Sequence, residues 1–348
     1  MSIFAGALSD RWNKKIIMLV CDTLAACSTA AVFLLLKENL LAPVHLYLLN
    51  AVNGFMNTVQ QPASDVAMTL IIPKKYYQKT SGLRSFSQSL VTILHPVFAA
   101  SLFALFGIEG VIYTDLTTFA LAFFTLLLFI SIPKPETGDE KQKESLTSSI
   151  SGGLSYLKEN PMILMLILFL AGVNLIASAF DAVLPAYVLP RRNGGEAILG
   201  IVTSCAGIAT LSGSLIAFLA PVPKNRIRII YITMLISLST ENFLLAFSRN
   251  PIFWCIGQIV GWLLVPLMNT NLDVILRTTI PVEMQGRVYS CRNTLQFFTI
   301  PIGFYLGGWM VDEVCEPFMA QGSAGGYLAI LFGTGKGSGA ALMLFFSV

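Results

Sequence analysis

The sequence predicts an all-α polytopic membrane bundle made of two pseudo-symmetric halves. Three observations predict it. Of the 348 residues, 55% are hydrophobic and 12% charged, about half the ~25% charged residues of a soluble domain; mean hydropathy is +0.72. Apolar runs recur along the chain, each near the ~20 residues that cross a bilayer core at ~1.5 Å rise per residue. And one helix–loop–helix pattern occurs twice.

The elements follow in order. Met1–Leu8 is too short and too poor in basic residues for a cleaved signal peptide. A charged hinge, Gly6-Ala7-Leu8-Ser9-Asp10-Arg11-Trp12-Asn13-Lys14-Lys15, leads into the first long run. The runs are Lys15–Leu36, Val44–Ile72, Leu83–Phe106, Gly110–Ile132, Pro161–Leu189, Ala197–Ala220, Ile227–Phe247, Pro251–Ile275 and Asn293–Val311. Each is expected to be a helix, because lipid offers a bare backbone no hydrogen-bond partner.

Pro133–Asn160 is polar, with the charged stretch Asp139-Glu140-Lys141-Gln142-Lys143-Glu144. It reads as a cytoplasmic linker. Ile150, Leu154 and Leu157 fall on one helical face, so its second part fits either a short helix on the membrane surface or a frayed tether. The predicted organisation is an N-terminal half over 1–132, a linker over 133–160 and a C-terminal half over 161–348.

Threading the runs alternately across a membrane places 17 of the 22 basic residues on one side. By the bias of Lys and Arg toward cytoplasmic loops, that side is the cytoplasm. The basic residues therefore report topology, and nucleic-acid binding is not expected. The six cysteines are scattered and form no C-x-x-C, which favours small hydrophobes over metal or disulfide roles. No cofactor is expected.

At an offset of 208, Asp65-Val66 recurs as Asp273-Val274 and Ile72-Pro73 as Ile280-Pro281. Lys79, Arg84 and Gln88 recur as Arg287, Arg292 and Gln296. Parallel repeats of this kind build transporters that hold substrate near the bilayer midplane. On the same offset, the partner of Pro161–Leu189 falls before residue 1, so about one and a half N-terminal helices are expected to be missing. Past Gly335-Lys336-Gly337-Ser338-Gly339 only Ala340–Val348 is apolar, and a twelfth helix would be incomplete.

The hinge resembles the G-x-L-x-D-R-x-x-x-K loop between the second and third helices of major facilitator superfamily transporters. Gln61-Pro62-Ala63 through Ile72-Pro73, and Pro281-Val282-Glu283-Met284-Gln285-Gly286-Arg287-Val288 with its P-x-E-x-x-G-R-V pattern, resemble the macrolide-efflux and enterobactin-exporter-like branch. Pro301-Ile302-Gly303 with Gly307-Gly308 is similar to a small-residue pattern of the superfamily's antiporters, whereas His95-Pro96-Val97-Phe98-Ala99-Ala100 departs from their Gly-Pro-x-x-Gly-Gly run. The resemblance implies a bundle of major facilitator type with ten to eleven of twelve helices present. It further implies a monomer in the cell membrane, exporting a lipophilic small molecule such as a macrolide-like drug or a siderophore, driven by protons.

Two groups of residues are candidates for that work. Asp10, Arg11 and Asp65 in one half, with Asp273, Arg277 and Arg287 in the other, form a candidate inner gate of breakable ion pairs. Asp65 has no basic residue at i+4, so Arg11 or Lys14 is its expected partner; Arg277 stands at i+4 from Asp273 on the same face. The alternative is that these charges only fix topology and packing. Inside the spans lie Asp22, Asp115, Asp181 and Glu241. An acid in hydrocarbon is costly and marks a cavity or a proton site. Asp22 and Asp115 are the preferred proton-coupling candidates, with Asp181 and a titrating His95 behind them; an acid hydrogen-bonded to a neighbour is the plainer reading.

The 24 Phe and 12 Met can line an apolar substrate cavity. Gly333-Thr334-Gly335-Lys336-Gly337-Ser338 lacks the spacing of an ATP-binding loop. A membrane enzyme would need a cluster of His, Asp and Ser at one depth, and the two histidines lie far apart in sequence. An enzyme is therefore not expected; a non-transporting fragment of a transporter is the other alternative.

Overall fold

Hydrophobic spans separated by capped, charged turns give a wholly helical chain. The computed structural model describes residues 13–133, 146–320, 328, 331–333 and 335–346, with no strand among them. The hinge residues before Asn13, and the charged part of the linker, lie outside the described residues.

Helix α1 (Lys14–Lys37) starts at Asn13, whose Oδ1 accepts from the Lys15 amide at 2.9 Å, as an N-cap should. Helix α2 (Pro43–Ile71) opens on proline and carries Pro62 inside it. Pro73 ends it, and a 3-10 turn over Lys74–Tyr76 leads into α3 (Tyr77–Phe129). The sequence divides α3 into two spans, Leu83–Phe106 and Gly110–Ile132. The division is at Gly107, with φ 65° and ψ −171° inside otherwise helical backbone, a conformation that suits glycine. The linker yields α4 (Leu146–Glu159), and then follow α5 (Pro161–Val188), α6 (Glu196–Leu219), α7 (Arg226–Phe247) and α8 (Pro251–Thr279). Helices α9 (Val282–Phe297) and α10 (Thr299–Trp309) continue through a π turn (Met310–Cys315) into α11 (Glu316–Ala320); α12 (Ser338–Phe346) closes the described chain.

Six stretches are long and apolar enough to cross a membrane, in α1, the second part of α3, α5, α6, α7 and α8. The sequence reading has nine runs. Helix α2 misses the hydropathy mark because Asn50, Asn53, Asn57, Gln60, Gln61 and Asp65 lie among its apolar residues. The run Leu83–Phe106 in the first part of α3 carries Ser85, Ser87, Ser89, Ser101 and Gln88, and the run from Asn293 is interrupted at Phe298.

The chain forms two units. The first holds residues up to Tyr77, Leu94–Met165 and Leu276–Thr294. In it α1 packs along α2 through Ile17, Cys21, Val59 and Ala63. Helix α4 seats its Gly152-Gly153 pair on α9: a Cβ at Gly153 would lie 3.1 Å from the Cys291 Sγ and 3.2 Å from the Arg287 carbonyl. The second unit holds Gln78–Ile93, Leu166–Ile275 and the residues from Leu295. Its core gathers α5, α7, α8 and α12 around Tyr187, Leu245, Trp254 and Ala340. The Tyr187 hydroxyl reaches the Ser248 carbonyl at 2.6 Å, and Trp254 Nε1 donates to the same carbonyl at 2.9 Å. Glycines permit close backbone approach: a Cβ at Gly213 of α6 would sit 1.9 Å from the Leu263 carbonyl oxygen of α8.

Many hydroxyls within the helices are satisfied locally. Thr23, Ser28, Thr58, Thr117, Thr125, Thr203, Ser212 and Thr233 each donate to the carbonyl four residues earlier. This bond closes a polar group on its own helix, which lipid would otherwise leave unpartnered.

Candidate functional site

In the first unit, the last turns of α2 and α8 meet at a buried ion pair. Asp65 and Arg277 are 7% and 5% exposed. Arg277 Nη2 lies 3.8 Å from Asp65 Oδ1, and Arg277 Nη1 donates to the Asp65 carbonyl and to Thr69 Oγ1, each at 3.0 Å. Thr69 in turn donates to the Asp65 carbonyl at 3.1 Å, and the Tyr77 hydroxyl donates to the Thr69 carbonyl at 3.2 Å. Gln285 of α9 donates to the Ile280 and Arg277 carbonyls, holding the end of α8. Such a pair is costly to break one-sidedly, because either charge left alone is buried.

Arg277 thus reaches Asp65, a residue to which the sequence assigned Arg11 or Lys14. Arg11 and Asp10 lie outside the described residues. Lys14 is buried in the first turn of α1. Arg287 is half-buried beside α4, its Nη1 3.2 Å from where a Gly152 Cβ would stand. Lys15 of the hinge donates from Nζ to the Leu127 and Ile130 carbonyls at 2.8 Å. It caps the C-terminus of α3, where cations are favoured.

Two carboxylates inside this unit bind neutral donors. Asp22 Oδ1 accepts from Gln60 Nε2 at 2.7 Å, bridging α1 and α2. Asp115 Oδ2 accepts from Thr29 Oγ1 at 2.9 Å, bridging α3 and α1. His95 is exposed on α3.

In the second unit, Asp273 accepts a short hydrogen bond from Ser81 Oγ. Nearby in sequence on the same two helices, Gln78 and Asn271 share one cation: Arg226 Nη1 donates to Gln78 Oε1 at 3.2 Å and to Asn271 Oδ1 at 2.9 Å. Gln78 Nε2 also donates to the Ala220 carbonyl at 2.8 Å. Asp181 is exposed on α5, and Glu241 is buried on α7. Sequence reasoning missed Thr69, Gln78, Arg226 and Asn271. Polar residues at the ends of otherwise apolar helices were the available signal, but their partners are set by packing.

A chain of packed membrane-length helices with charged clusters at their ends can move solutes, and the comparisons agree. It is 24% identical over 315 residues to macrolide efflux protein A of Streptococcus pyogenes, covering 89% of this chain and 76% of that protein. It is 26% identical to the MFS-type transporter YkuC of Bacillus subtilis, covering 95% and 73%. Against the multidrug efflux pump Tap of Mycolicibacterium fortuitum it is 24% identical, covering 89% and 77%. The human organic anion transporter MFSD10 has a similar fold, with a TM-score of 0.65 at 14% identity over 99% of this chain and 79% of that one. So does a bacterial homologue of the iron transporter ferroportin in its outward-facing state, with a TM-score of 0.62 at 17% identity over 99% and 85%. The family profile of the Major Facilitator Superfamily matches residues 1–304, and the chain belongs to that superfamily as a multi-pass membrane transporter rather than an enzyme.

Proposed function

We propose that this transporter exports a lipophilic small molecule, macrolide-like or siderophore-like, by alternating access driven by protons. It acts as a monomer, its halves 1–132 and 161–348 joined by the linker 133–160. The relatives named for macrolide and multidrug efflux support the export reading. Apolar helices rich in Phe and Met suit a substrate that partitions into lipid.

The observation that carries the mechanism is the Arg277 contact with Asp65 and Thr69. Few ionisable groups in the described helices are as buried, and this pair joins the ends of two helices from opposite halves. A pair so placed works as a latch: intact in one state of the cycle, broken in the other. Asp273 with Ser81 is the counterpart latch at the repeat-related position. Asp22 and Asp115, each held by a neutral donor, are the proposed carriers of the driving protons.

The test is export of a macrolide from cells or proteoliposomes, with and without a proton uncoupler. Wild-type export falls with the uncoupler. Asp65→Asn, at normal expression, lowers export roughly tenfold, the equivalent of ~1.4 kcal/mol on the barrier. Export that ignores the uncoupler sinks the proton coupling; unchanged export in Asp65→Asn sinks the latch.

A further inference from the structure

The second unit contains a buried carboxylate to which the latches give no role. Glu241 lies on α7 and is 6% exposed. One of its oxygens is held: the Trp262 side chain of α8 donates to the carboxylate. The other, Oε1, is buried without a hydrogen-bond partner among the described residues. The wall facing the carboxylate is backbone, since a Cβ at Gly261 would stand 2.2 Å from Oε2 and 2.5 Å from the carboxyl carbon. Glycine at 261 therefore makes the space that this carboxylate fills. One turn earlier on α8, Gln258 is 1% exposed and its Nε2 also lacks a partner.

Buried polar atoms in folded proteins are nearly all hydrogen-bonded, and an exception calls for an explanation. A metal ion needs several oxygen ligands, and among the described residues no cluster of three acidic, His or Cys side chains exists to supply them. On its Oε2 side the Gly261 backbone leaves no room for a substrate group. What fits on Oε1 is a proton.

The groups facing Glu241 are few. From α5 comes Asp181, exposed and near enough for its charge to act on Glu241. From α8 comes Trp262. Helix α12, which packs on α7, has no titratable residue between Ser338 and Phe346. The cation Arg249 lies eight residues beyond Glu241, past the end of α7.

We infer that Glu241 is a proton-binding site of this transporter. The proton adds to the unpartnered Oε1 and turns the carboxylate into the acid; release reverses the step, and no electrons move. Trp262 holds the carboxyl in place in both forms. As a contribution to coupling this rests on the proton-driven export proposed above, but protonation itself is readable without transport.

The experiment uses the full chain in detergent with Trp12, Trp254 and Trp309 replaced by Phe, leaving Trp262 as the sole indole. Its emission is titrated between about pH 5 and pH 9, a window set by ordinary carboxyl and imidazole values and their documented shifts. The expected result is a single-proton transition, lost in Glu241→Gln and displaced in midpoint in Asp181→Asn. Because Glu241→Gln can misfold, Asp181→Asn, at an exposed position, decides independently. Emission that is flat across the window, a transition that survives Glu241→Gln, or a midpoint unmoved in Asp181→Asn each overturns the inference. In proteoliposomes, Glu241→Gln should lose the response of export to a pH gradient while keeping substrate exchange. A wild-type protein that titrates but does not export would overturn the proposed function and leave the proton site standing.

Discussion

Arg277 and Thr69 touch, Nη1 to Oγ1 at 3.0 Å, and they stand 208 positions apart. That separation is the offset at which Asp65-Val66 repeats as Asp273-Val274. The contact thus joins two positions that the sequence repeat makes equivalent.

Removing the guanidinium should be costly. Arg277→Ala takes the guanidinium away from the buried Asp65 carboxylate, and the expected loss of unfolding free energy is roughly 3–5 kcal/mol. Thr69→Val, which removes one acceptor, should cost about 1 kcal/mol. The two effects should be less than additive in a denaturant titration of the purified protein, since they share a bond. Additive losses would mean that the contact carries no energy.

Lys15 offers a milder test. Lys15→Met keeps the aliphatic stem but leaves the Leu127 and Ile130 carbonyls without their donor. The expected cost is about 0.5–1.5 kcal/mol, together with faster amide exchange in the last turn of α3. Unchanged exchange there would show that the cap is dispensable.

Much of the fold was legible in the sequence because lipid leaves little choice. Apolar runs such as Ile227–Phe247 become helices to within a residue or two. Glycine and proline marked the breaks, with Gly107 between two spans and Pro73 at the end of α2. The partner choices were less legible. Arg277 sits at i+4 from Asp273, so one-dimensional spacing favoured a bond within its own helix, yet it also reaches a residue 212 positions away. Long-range pairing depends on how ridges of one helix meet grooves of another, and spacing along one chain does not carry that. Glu241 was visible as an acid in a span, but that Gly261 would leave room for its carboxyl was not.

Gly213→Ala should be poorly tolerated. The added methyl would meet the Leu263 carbonyl at 1.9 Å, so α6 and α8 must separate. Overpacking of this kind costs about 1–3 kcal/mol. The measurement is the thermal midpoint of the variant against Gly172→Ala, where a Cβ meets nothing within 4 Å. Equal midpoints would refute the close approach.

The linker helix should respond to alkali. Burial pushes the Tyr156 phenol on α4 above its ordinary value, and its hydroxyl donates to the Thr279 carbonyl at 3.4 Å. A group whose folded value is raised stabilises the fold below its unfolded value, about 10 for tyrosine, and loses that contribution as pH rises through the folded value. Proteolysis within α4 should accelerate above about pH 10 in the wild type. In Tyr156→Phe that acceleration should be absent, and an identical pH profile in the two would count against the anchor.

The helix hydroxyls that bond their own carbonyls have a consequence for movement. A surface whose polar groups are already internally closed presents its neighbour with little but dispersion, which has no preferred direction. Sliding one such surface over another sacrifices few directional bonds and meets little friction. Under the proposed latch mechanism, the barrier to changing shape would concentrate in a handful of charged catches, and a single substitution at one of them would reset the resting position.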